Sequence, residues 1–112
     1  MNNYDNNELV KNIINILEDK KAININVIDV REKSILADYF IIATGTSNTH
    51  INALADELEF RLKEKNIFLN SKEGKNYNSW ILLDYGDIIV HIFSEETRKF
   101  YNLEELWSPK IK

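Results

Sequence analysis

Two apolar runs, Trp80–Leu83 and Ile88–Phe93, flank a short polar break, Asp84-Tyr85-Gly86-Asp87. Each run has the length of a strand and falls short of a helix. Gly86 supplies the positive φ that a tight reversal needs. The pattern predicts a β-hairpin at the centre of the fold. Both runs are apolar at nearly every position, so both faces of the hairpin must be covered. Helices of the same chain can cover one. What covers the other, around Trp80 and Tyr85, bears on function.

The rest of the chain follows in two rhythms. Leu9, Val10, Ile13, Ile14 and Leu17 recur at helical spacing and predict a helix over Asp5–Lys20. Asp5 can cap it, with Glu8 completing a capping box. Ile23, Ile25 and Val27 alternate with Asn24 and Asn26, which predicts a strand over Ile23–Val30 with one wet face. The alternation changes phase at Ile28, which a β-bulge near Val27, or burial of both faces at that end, would explain. Arg31–Ala37 is read as a polar turn. Tyr39–Thr44 is apolar almost throughout and predicts a central strand.

Thr44-Gly45-Thr46-Ser47 ends that strand and opens a helix whose buried stripe is Ile51, Leu54, Ala55, Leu58 and Leu62. Ile67, Phe68 and Leu69 predict a short third strand within Asn66–Lys72, parallel to the previous one through a right-handed crossover. Glu73–Asn78 is read as a polar loop before the hairpin. Ser94 caps a last helix, Glu95–Tyr101, with Glu95 and Glu96 in its first turn. Leu103, Leu106 and Trp107 follow, and Pro109 stops further helix. The expected fold is α/β: one domain over residues 1–112, with a single mixed sheet of about five strands flanked by helices.

Composition narrows the partners. Acids outnumber bases 18 to 14, for a net charge of −4. Such a chain lacks a long-range attraction for nucleic acid phosphate, so little direct nucleic acid contact is expected. No apolar run is long enough to span a bilayer. The amino end carries neither a secretory nor an organelle-targeting pattern. There is no cysteine, which excludes disulfides and thiolate metal sites and fits a cytoplasmic setting.

Candidate chemistry is sparse. Gly45 at a strand–helix turn is the geometry of a phosphate site, but a lone glycine falls far short of a phosphate-binding fingerprint. Asp84 and Asp87 can ligate a hard cation, yet aspartates at turns ordinarily bond the local backbone. Ser47 and His50 read as helix cap and first turn. His91, inside an apolar strand, reads as a core or interface histidine. No cofactor, metal or catalytic set is expected. The remaining signal is aromatic: Trp80, Tyr85, Tyr101 and Trp107, near Glu73, Asp84, Asp87, Glu104 and Glu105. An apolar patch rimmed with acids is a receptor for a basic protein surface.

Several segments then fall into a specific order. These are Ala37-Asp38-Tyr39-Phe40, Ile42-Ala43-Thr44-Gly45-Thr46-Ser47, His50, Ala55-Asp56, Glu73-Gly74, Trp80-Ile81-Leu82-Leu83-Asp84 and Gly86-Asp87-Ile88-Ile89-Val90-His91. Glu95-Glu96-Thr97-Arg98 and Tyr101-Asn102-Leu103-Glu104-Glu105-Leu106-Trp107 complete the set. In order and spacing the chain resembles the ribosomal silencing factor family (RsfS, also called Iojap). The resemblance implies a nucleotidyltransferase-like fold without the catalytic acids, and a non-enzymatic translation repressor. It implies binding to the large ribosomal subunit through a basic ribosomal protein, number fourteen, at the face that meets the small subunit. It also implies a homodimer when free. The contact residues expected here are Trp80, Leu82, Asp84, Tyr85, Asp87, His91, Tyr101, Leu106 and Trp107. One departure stands out: the family usually carries Arg before the histidine matching His50, where this chain has Thr49. The alternative is a divergent nucleotidyltransferase-like enzyme using the Gly45-Thr46-Ser47 loop with Asp84 and Asp87.

Overall fold

A computed structural model of the chain describes residues 7–75 and 77–107. Helix α1 (Glu8–Asp19) is followed by strands β1 (Ile23–Asp29) and β2 (Tyr39–Thr44), then helix α2 (Asn48–Glu64). Strands β3 (Ser71–Lys75), β4 (Trp80–Asp84) and β5 (Ile88–Phe93) come next, and then the short helices α3 (Glu95–Tyr101) and α4 (Leu103–Trp107). The sheet is mixed and five-stranded, in the order β1-β2-β5-β4-β3.

The central hairpin forms as expected. β4 and β5 are antiparallel, with Trp80 opposite Phe93 and Leu82 opposite His91. Gly86 sits at φ 89°, and the Asp84 side chain accepts the Gly86 N–H at 2.8 Å. β2 is buried at all six positions, as befits a strand inside the sheet. Its parallel partner is β5, with Tyr39 opposite Ile88.

Two expectations are corrected. Ile67–Leu69 is not a strand: the Ile67 N–H closes the end of α2 on the Leu62 carbonyl, and Ile67 and Leu69 pack against the core from a linker. The third strand, β3, starts at the end of the Asn66–Lys72 segment and runs into what reads as a polar loop from Glu73 on. β3 is exposed at every position and pairs antiparallel with β4, so it needs backbone pairing and no apolar face. Tyr77 and Asn78, both at positive φ, turn it into β4. The parallel crossover from β2 therefore passes over this second hairpin and ends at β5. Of the two accounts of the phase change in β1, burial of both faces at its end is the one found: Val27 packs on the core under the helices, and Ile28 and Val30 are buried on the opposite face. The register shift falls earlier, between Ile23 and Asn26. Asn24 takes φ 52° there. At the amino end, Asn7 caps α1 by accepting the Val10 N–H at 3.1 Å; the expected cap Asp5 lies outside the described residues, as does Pro109.

The sheet separates two apolar clusters. On one face Val10, Ile13 and Leu17 of α1, with Ile51, Leu54, Leu58 and Leu62 of α2, cover Ile41, Ile81, Leu83, Val90 and Ile92. On the other, Ile28, Val30, Phe40, Ile42, Trp80 and Phe93 are joined by Leu103 and Trp107.

Gly45 is needed for a close approach. A Cβ placed there would meet Ile51 Cγ1 at 2.7 Å and the Ile51 backbone at 3.1 and 3.2 Å. Backbone cannot yield as a flexible side chain can, so Gly45→Ala is expected to destabilise the fold by about 1–3 kcal/mol. Urea denaturation checks this, and an unchanged midpoint would show that α2 can move away.

Candidate protein-docking face

Residues paired across the ladder share a face. Trp80, Leu82 and Asp84 therefore lie with Lys75, Glu73 and Ser71 of β3, and with Phe93, His91 and Ile89 of β5. Phe40, Ile42 and Thr44 of β2 continue the row. This is the face opposite α1 and α2.

One end is roofed by the chain's own carboxyl-terminal helices. Ser94 caps α3 by accepting the Thr97 N–H at 3.1 Å. Asn102, at φ 46°, ends α3 and turns the chain into α4. The Tyr101 ring lies 4.7 Å from Trp80, and Trp107 lies 5.1 Å from Phe40, edge on. Arg98 fastens the roof. Its guanidinium donates to both Glu104 oxygens at 2.8 and 3.1 Å, and to the Thr44 hydroxyl at 2.9 Å. Asn26 of β1 adds a bond to Glu104 at 2.7 Å. These hydrogen bonds, Arg98 first, hold the Glu104 carboxyl below the usual range. The Lys33 ammonium reaches the Leu106 carbonyl at 3.4 Å, so the β1–β2 loop meets α4 at the rim.

Under this roof Trp80, one of the expected contact residues, is already packed within the chain. Trp80 is only 9% exposed. Its indole N–H donates to His91 Nδ1 at 3.1 Å, its ring lies 4.9 Å from Phe93, and the Lys75 ammonium sits 5.0 Å over it. Trp80 is thus the floor of the face and not a side chain free to enter a partner. Tyr85 is buried on the opposite side, in the cluster under α1 and α2, and does not belong to this face. Asp84 is half-buried and spends one oxygen on the turn; Asp87 is exposed, and its carbonyl accepts the Asp38 and Tyr39 N–H groups. Leu82 and Ile89 remain half-exposed beyond the roof, and Tyr101 and Leu106 are exposed on it.

Two exposed apolar residues escape a reading by pattern alone. Ile35 and Leu36 stand out from the β1–β2 loop, 102% and 81% exposed. They were hidden inside a segment read as a polar turn; the signal was an apolar pair with no partner in the strand rhythm.

His91 is 4% exposed, between Phe40 and Phe93. Burial, with Lys75 adding to it, lowers its pKa from 6.5 to about 4. Because Nδ1 accepts from Trp80, the neutral ring carries its proton on Nε2, which has no partner. The unfolded chain takes up this proton near pH 6.5 and the folded chain only near pH 4. Stability is therefore full above pH 6.5 and falls as pH drops through that window, by on the order of 3 kcal/mol from this group. Denaturation at stepped pH checks this: His91→Gln, which keeps an acceptor for Trp80 and does not titrate, should flatten the slope.

The strand–glycine–helix turn offers little to a phosphate. The Thr46 N–H donates to His50 Nδ1 at 2.9 Å, the His50 N–H to Ser47 Oγ at 3.0 Å, and the Ile51 N–H to the Ser47 carbonyl at 2.9 Å. His50 Nε2 lies 2.8 Å from the Lys20 carbonyl, so the ring pins α1 to this turn. Among the described residues no group of three or more His, Cys, Asp or Glu is placed to hold a metal ion, and no helix is long and apolar enough to cross a membrane.

Comparison with known proteins is consistent along the chain. The family model described as "Ribosomal silencing factor during starvation" matches residues 3–112. A ribosomal silencing factor RsfS of Zymomonas mobilis is 40% identical over 104 residues, covering 93% of this chain and 78% of that protein. The mitochondrial Iojap-related protein of Arabidopsis thaliana is 41% identical, covering 83% of this chain and 53% of its own length. A crystal structure of a Chromobacterium violaceum protein superposes with a TM-score of 0.86 at 35% identity, covering 94% of this chain and 88% of that one. With fold and sequence in agreement, this chain belongs to the ribosomal silencing factor (RsfS/Iojap) family.

Proposed function

We propose that this protein represses translation by occupancy, without chemistry. It docks on a basic protein of the large ribosomal subunit, number fourteen in the family's case, and keeps the small subunit from joining. The observation that carries the reading is apolar surface left open on this face and its rim: half-exposed Leu82 and Ile89 on the strands, Ile89 in the same cluster as Trp107, and exposed Leu106, Ile35 and Leu36 on α4 and on the loop that Lys33 joins to it. Acids lie on the same elements: Glu73 opposite Leu82, Asp84 opposite Ile89, Asp87 in the hairpin turn and Glu105 on α4. Apolar side chains hold the partner, and the acids steer a positively charged surface into register. The roof of α3 and α4 is part of the docking surface, because it is the roof that presents Tyr101, Leu106 and Trp107. Association of the free chain into a dimer through this same apolar surface would compete with docking.

The test is subunit joining on a density gradient. Added protein should leave separated subunits where they would otherwise sediment together, and the protein should travel with the large one. Joining that proceeds unimpeded at saturating protein would overturn the proposal. Binding should also weaken as salt rises, since part of the attraction lies between exposed charges.

A further inference from the structure

A cleft of about 240 Å³ opens on the other side of the molecule, between α2, the linker after it and the central hairpin. It is lined by Glu59, Lys63, Ile67, Phe68, Leu69 and Tyr85. Its position, on the helix-covered side of the sheet, separates it from the docking face.

Three features of the cleft ask for a ligand. The Tyr85 hydroxyl is buried and has no hydrogen-bond partner, an arrangement that an incoming acceptor would relieve. Burial first, and the Glu59 charge second, raise the phenol's pKa, so it stays a neutral donor. Glu59 and Lys63 lie one helical turn apart, in the order that favours a mutual ion pair. Glu59 instead pairs with Lys72 at 3.2 Å, and Lys63 has no ion-pair partner among the described residues. The wall between these charges is apolar, and Phe68 stands 60% exposed at its lip.

We propose that this cleft binds a free α-amino acid with an apolar side chain. Lys63 takes the carboxylate, which also accepts from the Tyr85 hydroxyl. The ammonium goes to Glu59 Oε2, the oxygen that Lys72 leaves, and the side chain packs on Ile67, Phe68 and Leu69. A simple carboxylate leaves the second Glu59 oxygen with no cation, and a simple amine leaves Lys63 and Tyr85 unmatched, so the zwitterion fits where neither half does. Binding here does not depend on the ribosomal reading.

The experiment is an amide chemical-shift titration of the full chain with L-leucine, and in parallel with 4-methylpentanoate and 3-methylbutan-1-amine. L-Leucine should give saturable shifts at residues 59–69 and 85, with Kd about 1 mM or tighter. Each single-charge analogue, and L-leucine on Lys63→Met, should bind roughly tenfold more weakly or worse. Tyr85→Phe should weaken L-leucine several-fold while raising the unfolding midpoint of the free protein, because it deletes the unpaired hydroxyl. Phe60→Ala, on α2 but outside the cleft, should change neither. Absence of saturable shifts up to about 10 mM L-leucine would overturn the proposal. So would equal binding of either analogue, or unchanged affinity in Lys63→Met.

Discussion

Trp80→Ala is expected to cost the fold about 3–5 kcal/mol, the range for truncating a buried tryptophan. The side chain is in ring contact with Phe93 and Tyr101, donates to His91 and lies under Lys75. Removing it leaves a cavity under α3 and takes the acceptor role from His91 Nδ1, so a second buried nitrogen is orphaned. Domains of this size are stable by about 5–15 kcal/mol, so the variant should unfold at a much lower denaturant concentration. Loss of ribosome binding in Trp80→Ala would accordingly report the loss of the face itself, not of a contact made by the indole. A midpoint close to the parent's would mean that the indole is not packed as described.

Leu82→Arg separates binding from folding. Leu82 is half-exposed and opposite Glu73 and His91 at the open part of the face. An arginine there can lay its stem along the face and keep its charge in water, so the stability change should be within about 1 kcal/mol. It removes an apolar contact and sets a positive charge against a basic partner. The expected loss is about 2 kcal/mol or more, roughly thirtyfold in affinity for the large subunit. Glu73→Lys, beside it, should reduce the association rate and the salt dependence more than the dissociation rate. If Leu82→Arg binds and blocks joining like the parent, docking through this face is refuted while the fold stands.

The face owes its open and closed parts to the same short element. Tyr101 and Trp107 reach Trp80 and Phe40 because Asn102 can take a left-handed backbone, and because Arg98 finds Glu104 six residues on. No residue of α3 or α4 is fully buried, so this roof rests on the Arg98 network and on ring contacts at its edge.

The sequence alone determined a good deal. Local rhythm is written in neighbouring residues, so the helices α1, α2 and α3, the strands β1, β2, β4 and β5 and the Gly86 reversal were all legible. So was the family, because an ordered set of short segments is specific where each alone is weak. Tertiary structure decided what depends on partners distant in the chain. β3 is a strand only because β4 offers it a ladder, which no alternation of its own residues announces. β5, rather than the segment after α2, became the parallel partner of β2 for the same reason. Alternation placed Trp80 and Leu82 on one face but could not say which would be roofed. That depended on α4 folding back over Phe40. It also depended on Tyr85, one residue beyond β4, turning under α2 instead of joining the face.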